Sequence, residues 1–276
     1  MATQDPTAVK HNCDLCEEDN PQYLDMVPGA AVCGNCGFVY VPYRRSPEAI
    51  AKAWDDVWGE GYTSAWPMVK ARLTYVAEWI DQNIGLEGKS VLDIGAGEGA
   101  FLEIVEGLGC GSSMWGIEPC ESNAEQVRKF FNCYPGTLEQ AQKQLSEKFD
   151  IVTVLWTLEN CGDCIDFLKR AKSFLKPDGH LVVATGSRIL VPFKKPLSSY
   201  VGKNPPDLHC FRFSVNSLGH AALKAGFKNV AANQYKDSDW LIMHALGSSE
   251  TKPEDCWHDN PEEVLQFFKS WQEMFP

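Results

Sequence analysis

The sequence predicts a doubly wound α/β domain, with a small cysteine-bearing module before it and a helix after it. Two observations predict the α/β domain. From about residue 86, short apolar runs alternate with amphipathic stretches, and the first run leads directly into a glycine-rich turn. A third observation, two closely spaced cysteine pairs near the N-terminus, predicts the module. The length of 276 residues accommodates both parts.

The overall charge and hydropathy exclude several classes of partner. The chain has 25 Lys and Arg against 37 Asp and Glu, a formal net charge of −12. Because nucleic-acid binders need clustered positive charge, we expect no nucleic acid as a partner. We expect no membrane either, since no apolar run reaches the roughly 18 residues of a spanning helix. The first residues lack the apolar stretch of a secretory signal, which predicts a cytoplasmic protein.

The N-terminal residues 1–45 are predicted to form a zinc ribbon. Two C-x2-C pairs are separated by sixteen residues, and each pair places two thiolates on one tight turn. The odd total of 11 cysteines argues against a disulfide framework in a reducing compartment. We therefore expect a structural Zn²⁺ in a closed four-thiolate shell, the alternative being four unrelated buried cysteines. The predicted ligands are Cys13, Cys16, Cys33 and Cys36.

Residues 46–85 are predicted to be a helical linker or cap, and residues 86–247 the α/β domain. Four apolar runs are typical of buried parallel strands: Ser90–Ile94, Ser113–Ile117, Asp150–Trp156 and His180–Thr185. Amphipathic stretches at 100–108, 121–131 and 163–175 predict the helices between them. After a helix at Ser217–Ala225, two further runs at Lys228–Tyr235 and Asp239–Leu246 predict an antiparallel edge.

The chemistry is indicated by VLDIGAGEGAFL, Val91–Leu102, in which a strand runs through glycines into a helix. The glycines Gly95, Gly97 and Gly99 permit a sharp turn and close approach of a ligand to backbone N–H groups. Alone, this pattern also satisfies the dinucleotide fingerprint G-x-G-x-x-G/A. An acid, Glu118, ends the next strand 23 residues after Gly95, where it can accept hydrogen bonds from ribose hydroxyls in either case.

The motif D-x-G-x-G-x-G, formed by Asp93 and the three glycines, resembles that of class I S-adenosylmethionine-dependent methyltransferases. The resemblance implies a mostly parallel, seven-stranded Rossmann-like sheet and S-adenosyl-L-methionine (SAM) as cofactor. A carboxylate at Asp93 suits a cofactor with an ammonium and a sulfonium, whereas it would repel a pyrophosphate. An NAD-dependent oxidoreductase is the alternative, and the absence of a second βαβ half opposes it.

The resemblance continues along the domain. Tyr134–Glu139 resembles the turn beside the adenine, and Phe149–Val183 resembles strand four, its following helix and strand five. The implied cofactor-binding residues are Asp93, Gly95, Ala96, Gly97, Gly99, Glu118, Pro119, Thr137, Leu138 and Trp156. After strand four, relatives often have Leu-Glu-His where this chain has Leu158-Glu159-Asn160, so an imidazole is missing there.

The order of elements resembles methyltransferases of nucleotide sugars and surface glycans. This resemblance rests on three segments: the ribbon ending in CGFVYVPYR, the Trp- and Tyr-rich stretch after it, and Pro206–Phe227. The resemblance implies a small sugar or nucleotide-sugar acceptor. Sugar C-methyltransferases usually carry a further large C-terminal domain, so we expect O- or N-methylation more than C-methylation. The alternatives are a non-catalytic binding protein and a zinc-finger rRNA methyltransferase, which the acidic ribbon opposes.

Candidate acceptor-side residues come from the segment after strand five, from the charge of one loop and from an aromatic residue of the helical linker. The catalytic candidates are His209, Glu159 and Asn160, with His209 as the base if the acceptor is a hydroxyl. The alternative is that His209 only packs against and caps backbone. The loop Gly186–Pro206 has four basic residues and no acid, which would attract a phosphorylated acceptor, although solvated lysines are the alternative. The predicted substrate-binding residues are Tyr62, Arg188, Lys194, Lys195 and Arg212.

Residues 248–276 are predicted to be a linker and an amphipathic helix that begins at Asn260-Pro261. The apolar residues Val264, Phe268, Trp271 and Phe275 recur at helical spacing on one face. This face packs either on the chain's own domain or on a second copy. The sequence is therefore compatible with a monomer or a homodimer.

Overall fold

The computed structural model describes residues 6–59, 66–109, 113–186, 196–197, 206–233, 240–247 and 258–275. Within these ranges the predicted doubly wound α/β fold is confirmed, with an N-terminal cysteine-bearing module and a C-terminal helix. In the described part of the chain, no helix combines the length and apolar character that crossing a membrane requires.

The N-terminal module consists of short antiparallel strands. They are β1 (Val9–Lys10), β2 (Pro21–Tyr23), β3 (Ala31–Cys33), β4 (Val39–Tyr40) and β5 (Tyr43–Arg44). Strand β1 pairs with β5, and β3 lies between β2 and β4. Two helices follow, α1 (Pro47–Gly59) and α2 (Pro67–Asn83), where the sequence predicted a helical linker. Helix α2 buries Val76 and Ile80 completely against the central domain.

The central domain is built around one sheet with helices on its faces. Its elements are β6 (Ser90–Ile94), α3 (Ala100–Gly107), β7 (Ser113–Glu118), α4 (Glu121–Val127), β8 (Asn132–Pro135), α5 (Leu138–Gln144), β9 (Phe149–Leu155), α6 (Cys164–Lys172), β10 (Leu175–Gly186), β11 (Phe211–Arg212), α7 (Val215–Lys224), β12 (Lys228–Ala232) and β13 (Trp240–Leu246). Two short 3₁₀ turns complete it, the first at Leu158–Asn160 and the second at Pro206–His209.

The sheet has the order β12-β13-β10-β9-β6-β7-β8 among the described residues, and this seven-stranded arrangement confirms the prediction. Strands β8, β7, β6, β9 and β10 are parallel neighbours, and β13 pairs antiparallel with both β10 and β12. The predicted antiparallel edge is therefore present. The carboxyl ends of β6, β7 and β9 meet at one edge of the sheet, where ligands bind in such folds.

Two helices are shorter than predicted. Helix α4 ends at Val127, because Lys129 and Phe130 donate backbone hydrogen bonds three residues back and tighten the last turn. Helix α6 begins after Asp163, whose side chain accepts from the backbone N–H groups of Ile165 and Asp166.

The sheet of the N-terminal module gains a strand from far along the chain. Strand β11 pairs antiparallel with β4, with Phe211 opposite Tyr40. The ring of Phe38 stacks on Phe211, with centroids 5.7 Å apart, and packs at a tilt against Phe213, with centroids 5.5 Å apart. The segment that follows β10 therefore completes the ribbon and fixes it to the central domain.

The ion pair between Arg44 and Asp14 makes a second connection. Arg44 is fully buried and donates two hydrogen bonds to Asp14, at 3.0 and 2.6 Å. The same guanidinium donates to the carbonyl of Gly162, after β9, and lies 4.5 Å from the ring centre of Phe211. Arg44 therefore joins the module to the edge of the central sheet. Its pKa is raised by Asp14, against the opposing effect of burial.

The C-terminal helix α8 (Pro261–Met274) packs on the ribbon of its own chain. Asn260 caps it by accepting from the backbone N–H of Glu262. Its buried residues Val264, Phe268 and Trp271 lie in one apolar cluster with ribbon residues, namely Leu24, Val27, Ala30, Val32, Val39 and Val41. The predicted apolar face is thus covered within the chain.

Candidate active site

A glycine turn forms part of the floor of the site. Gly95, Gly97 and Gly99 all have positive φ, at 77°, 55° and 88°, which is the left-handed region that favours glycine. A Cβ on Gly95 would lie 2.3 Å from Oγ1 of Thr157, so this position also requires the absence of a side chain. The turn carries the chain from β6 into α3.

Two buried carboxyl groups flank this turn. Asp93 lies in β6 and accepts a hydrogen bond from Thr153 Oγ1 at 2.7 Å. Burial raises the pKa of Asp93 to about 7, against the Thr153 hydrogen bond and with the help of the Glu118 charge. Glu118, at the end of β7, accepts from the backbone N–H of Gly97 at 2.7 Å and of Cys120 at 2.9 Å. Since a carboxylate has about four lone-pair sites, Glu118 can hold the turn and still accept from a ligand.

A cavity of about 880 Å³ opens over these groups. Its floor is the carboxyl edge of the sheet, and its roof comes from the N-terminal module and helices α1 and α2. The floor residues include Asp93, Ile94, Gly95, Ala96, Gly97, Ile117, Glu118, Pro119, Thr137, Leu138, Leu155, Trp156, Glu159 and Asn160. The roof residues include Val9, His11, Arg44, Arg45, Pro47, Ile50, Trp54, Val69, Arg72 and Leu73.

Nine of the ten predicted cofactor residues line this cavity: Asp93, Gly95, Ala96, Gly97, Glu118, Pro119, Thr137, Leu138 and Trp156. Gly99 does not. It is the N-cap of α3, and a Cβ there would lie 3.3 Å from Cγ2 of Val127, so its place is explained by packing of the turn on α4.

Trp156 has a positive φ of 51°, which is unusual for a residue with a side chain and is a form of backbone strain found at functional sites. The guanidinium of Arg72 lies 4.1 Å from the centre of its ring, and Trp240 meets it edge-on at 6.5 Å. Arg72 from α2 therefore fixes this indole at the cavity wall. The sequence offered no signal for Arg72, because the contact joins residues 84 positions apart.

The first 3₁₀ turn brings Glu159 and Asn160 to the same cavity. Glu159 is only 6% exposed, and burial raises its pKa. The neighbouring backbone, the Thr185 side chain and, least of these, the charge of Arg72 oppose the shift. Asn160 Nδ2 donates to the carbonyl of Trp156 at 2.9 Å. Both residues therefore line the same cavity as the predicted cofactor residues.

His209 also lines the cavity, and Trp54 packs edge-on against it with ring centroids 5.5 Å apart. Burial lowers the pKa of His209 to about 4, helped by the charge of Arg212. The imidazole is therefore uncharged at neutral pH. Arg212 itself lies in β11, and within the described residues it does not line the cavity. Burial lowers the pKa of Arg212, and Glu159 opposes this.

The remaining predicted substrate residues, Tyr62, Arg188, Lys194 and Lys195, lie outside the described residues. Sequence reasoning missed Trp54, Arg72 and Arg44, all of which line the cavity. Of these, only Trp54 had a signal, because it follows Ile50 at helical spacing on one face of α1.

The four predicted zinc ligands come together in the N-terminal module. Their sulfur atoms lie within 4.8 Å of one another, with 3.5 Å between Cys13 and Cys36 and 3.4 Å between Cys16 and Cys33. A tetrahedral site with Zn–S bonds of about 2.3 Å has S–S edges of about 3.8 Å. The thiols therefore fit a zinc ion with small adjustments, and a disulfide length of about 2 Å is far from these values.

Comparison of the chain with models of known protein families identifies most of the central region. A family model described as a methyltransferase domain matches residues 68–232, more than half of the chain. The chain belongs to this methyltransferase-domain family. The predicted class I methyltransferase fold is thereby confirmed at the level of the domain.

Curated relatives match half or more of the chain. The chain is 29% identical over 234 residues to a tRNA U34 carboxymethyltransferase of Hydrogenovibrio crunogenus, covering 75% of this chain and 64% of that protein. It is 32% identical over 150 residues to the mitochondrial ubiquinone biosynthesis O-methyltransferase of Schizosaccharomyces pombe, covering 51% of this chain and 54% of that one. The chain thus spans less than two thirds of these relatives' lengths.

Solved structures share the fold. One is the 1,6-didemethyltoxoflavin-N1-methyltransferase of Burkholderia thailandensis, which holds S-adenosylhomocysteine (SAH) and 1,6-didemethyltoxoflavin. It has a TM-score of 0.56 and 16% identity, and the match covers 83% of this chain and all of that one. The mitomycin 7-O-methyltransferase has a TM-score of 0.52 and 17% identity, with 65% and 54% covered.

Proposed function

We propose that this protein transfers the methyl group of SAM to an oxygen or nitrogen of a small acceptor bound beneath the N-terminal module. The observation that carries the proposal is the pair of buried carboxyl groups, Asp93 and Glu118, around the glycine turn at the cavity floor. In a member of the methyltransferase-domain family, two carboxyl groups beside a glycine turn suit a cationic cofactor.

The residues at the floor suit SAM better than a dinucleotide. Glu118 provides negative charge for a cofactor with an ammonium and a sulfonium, and so does Asp93 in its ionised form, which a cationic cofactor would favour. The same charge would repel a pyrophosphate. Thr137 and Leu138 lie at the start of α5 and belong to the same floor. When bound, SAM would supply the electrophilic methyl group. The turn at Gly95 and Gly97 would hold it in place.

The cavity is large enough for both reactants. Ligand pockets commonly measure about 300–1,000 Å³, so about 880 Å³ is at the upper end of this range. With the cofactor on the floor, the acceptor would lie against Ile50, Trp54 and Leu73 of the roof. Such a roof excludes water and orients the acceptor, which is the main requirement of an in-line displacement.

A hydroxyl acceptor must also lose a proton. His209 is uncharged at neutral pH because its pKa is lowered to about 4, so it can accept that proton, although as a weak base. Glu159 also lines the cavity, and its raised pKa brings it closer to the working pH. We propose His209 as the base and Glu159 and Asn160 as groups that hold the acceptor.

The proposed acceptor is a sugar or nucleotide sugar, which rests on the order of ribbon, helical cap and methyltransferase domain in the sequence. A phenol is the second candidate, favoured by the apolar roof residues and by the ubiquinone O-methyltransferases among the relatives. A small molecule is proposed over RNA because the chain carries a net charge of −12.

We also propose that Cys13, Cys16, Cys33 and Cys36 bind one Zn²⁺. Four thiolate ligands leave no open position, so the ion would stabilise the ribbon and take no part in methyl transfer. Cysteines stay reduced, and so able to bind zinc, in a reducing compartment. We therefore propose that the protein is cytoplasmic.

The test is transfer of radiolabelled methyl from SAM to a panel of UDP-sugars, dTDP-sugars, dihydroxybenzoates and bulk tRNA, with mass spectrometry of each product. Label in a sugar or phenol fraction supports the proposal and identifies the atom methylated. Label in tRNA alone would refute the small-molecule assignment. Binding of SAH without any transfer would support a non-catalytic binding protein instead.

A further inference from the structure

The hydroxyl of Thr153 donates to a carboxyl group on which the proposed function depends. Its Oγ1 lies 2.7 Å from Oδ1 of Asp93. The two residues are register partners on the neighbouring parallel strands β9 and β6, so their side chains lie side by side on one face of the sheet. Thr153 is fully buried, and Asp93 is 2% exposed. The pairing of the two strands therefore fixes this hydrogen bond.

A hydroxyl is unexpected at this place in β9. Thr153 is the only polar residue in the buried run Ile151–Leu155, and a valine would have the same branched shape. Burying a hydroxyl costs free energy unless it is hydrogen-bonded. The partners of this hydroxyl are Asp93 and, at 3.3 Å, the backbone carbonyl of Leu92. The polar group at position 153 therefore acts on the strand that carries Asp93.

The hydroxyl favours the ionised form of Asp93. It has one hydrogen, which can point to the carboxyl group or to the Leu92 carbonyl. A hydrogen bond to an ionised carboxylate is roughly twice as strong as one between neutral groups. The hydroxyl therefore gains more when Asp93 is ionised than when it is protonated. The direction agrees with the pKa of Asp93, which burial raises and the Thr153 hydrogen bond lowers.

Glu118 of β7 is the charged group that acts on Asp93, and its charge raises the pKa of that carboxyl. Across the part of the chain that the structure describes, no other charge shifts this pKa. The surrounding elements carry further charged residues, which are Arg72 at the cavity lining, Glu98 in the glycine turn, Asp150 at the far end of β9, and the exposed Lys70, Glu78, Asp81, Glu103 and Glu106 of α2 and α3. Burial, Glu118 and Thr153 therefore determine the ionisation of Asp93.

We propose, building on the proposed methyl transfer, that Thr153 is a positioning residue that holds Asp93 as the carboxylate required by the cationic cofactor. Thr153 is not among the described residues that line the cavity, so it acts through Asp93. Cofactor binding then releases the proton of Asp93 to the solvent. In this step only the O–H bond of the carboxyl group breaks, and the cofactor is unchanged.

The first experiment measures proton release by the wild-type protein. SAH is titrated calorimetrically at pH 6, 7 and 8.5, each time in two buffers with different ionisation enthalpies. With a pKa of about 7 for Asp93, we expect release of nearly one proton per SAH at pH 6, about half at pH 7 and almost none at pH 8.5. The affinity for SAH should increase about tenfold from pH 6 to pH 8. Binding without proton release, or with the same affinity at every pH, would overturn the proposal.

The second experiment assigns the effect to the hydroxyl. Thr153→Val should move the pH profile of SAH affinity upward by about one pH unit, because it removes a charge-assisted hydrogen bond. The affinity should therefore fall about tenfold at pH 6 and less than about twofold at pH 8.5. Thr153→Ser keeps the hydroxyl and should keep the wild-type profile. Thr153→Ala provides the same comparison if Thr153→Val does not fold.

Thr74→Val is the matched control, because Thr74 lies on α2 outside the cavity lining and should not affect SAH affinity at any pH. An equal loss of affinity at every pH in Thr153→Val would show that Thr153 only packs, and would overturn the proposal. A wild-type profile in Thr153→Val, or a valine-like profile in Thr153→Ser, would do the same.

This proposal and the proposed function fail separately. Absence of SAH binding by the wild type at every pH would refute the methyl-transfer function. Tight SAH binding without proton release would refute only the role of Thr153 and of the Asp93 proton.

Discussion

At the scale of single residues, Gly95 has the most demanding position in the site. It combines a φ of 77° with a 2.3 Å approach of any Cβ to Thr157, so two penalties would act on a substitution. Gly88 has a similar φ of 70° with no atom within 4 Å, so there only the conformational penalty acts. The pair therefore separates backbone strain from steric conflict.

We predict that Gly95→Ala weakens SAH binding by more than tenfold and destabilises the protein beyond the roughly 1–2 kcal/mol of a left-handed alanine. Gly88→Ala should show the conformational cost alone, with SAH affinity unchanged. Urea unfolding and SAH titration measure both quantities. Equal behaviour of the two variants would show that the contact with Thr157 has no role in the turn.

Asp93 gives a pH-dependent prediction. Its pKa of about 7 in the folded protein exceeds its ordinary value of 3.8, so the folded state binds this proton more tightly than the unfolded state. The contribution of Asp93 to stability is therefore greatest at low pH and declines as the pH rises from about 4 to about 7. Asp93→Asn should remove this decline, so the variant's melting temperature relative to wild type should increase across that window.

Thermal melts of both proteins without cofactor, from pH 4 to pH 8, test this difference. A gap between the two melting temperatures that stays constant with pH would contradict the assigned ionisation. The same variant should lose SAH affinity, since it lacks the carboxylate that we propose binds the cofactor.

At the scale of elements, α8 holds the outer face of the ribbon. Trp271 is 4% exposed and lies in the cluster with the ribbon residues, whereas Met274 on the same helix is 58% exposed. We predict that Trp271→Ala lowers the free energy of unfolding by about 3–5 kcal/mol, while Met274→Ala changes it by less than about 0.5 kcal/mol. Comparable losses in urea unfolding would show that α8 is not anchored through Trp271.

The zinc ribbon gives a second prediction at this scale. Cys33→Ser should lower the zinc content well below one ion per chain and reduce thermal stability, because it removes one of four thiolate ligands. SAH affinity should change little, since the glycine turn lies outside the ribbon. Metal analysis of the purified variant is the measurement, and full zinc occupancy would contradict the four-cysteine assignment.

The elements also show what the sequence could predict. The strands β6, β7 and β9 and the turn after β6 were predicted from their own residues, because a buried strand and a glycine turn are local patterns. Strand β11 could not be predicted. It has two residues, and its partner β4 lies about 170 residues earlier. The apolar face of α8 was predicted, but a hydrophobic stripe does not specify which surface covers it.

At the scale of the whole molecule, the N-terminal module and the central domain form one cavity. The floor could be predicted, because its residues lie in one glycine motif and at the ends of the neighbouring strands. The roof could not, because Trp54 and Arg72 reach the site through tertiary packing. The connection through Arg44, Asp14 and Gly162 holds this roof over the sheet, so an intact ribbon is part of the acceptor side.

Calorimetric titration of the purified protein with SAM, SAH and NAD tests the proposed cofactor site. We expect SAM and SAH to bind at one per chain and NAD not to bind. We also expect Asp93→Ala to abolish SAH binding while zinc content is retained. Binding of NAD without SAM or SAH, or undiminished SAH affinity in the variant, would contradict the cofactor site.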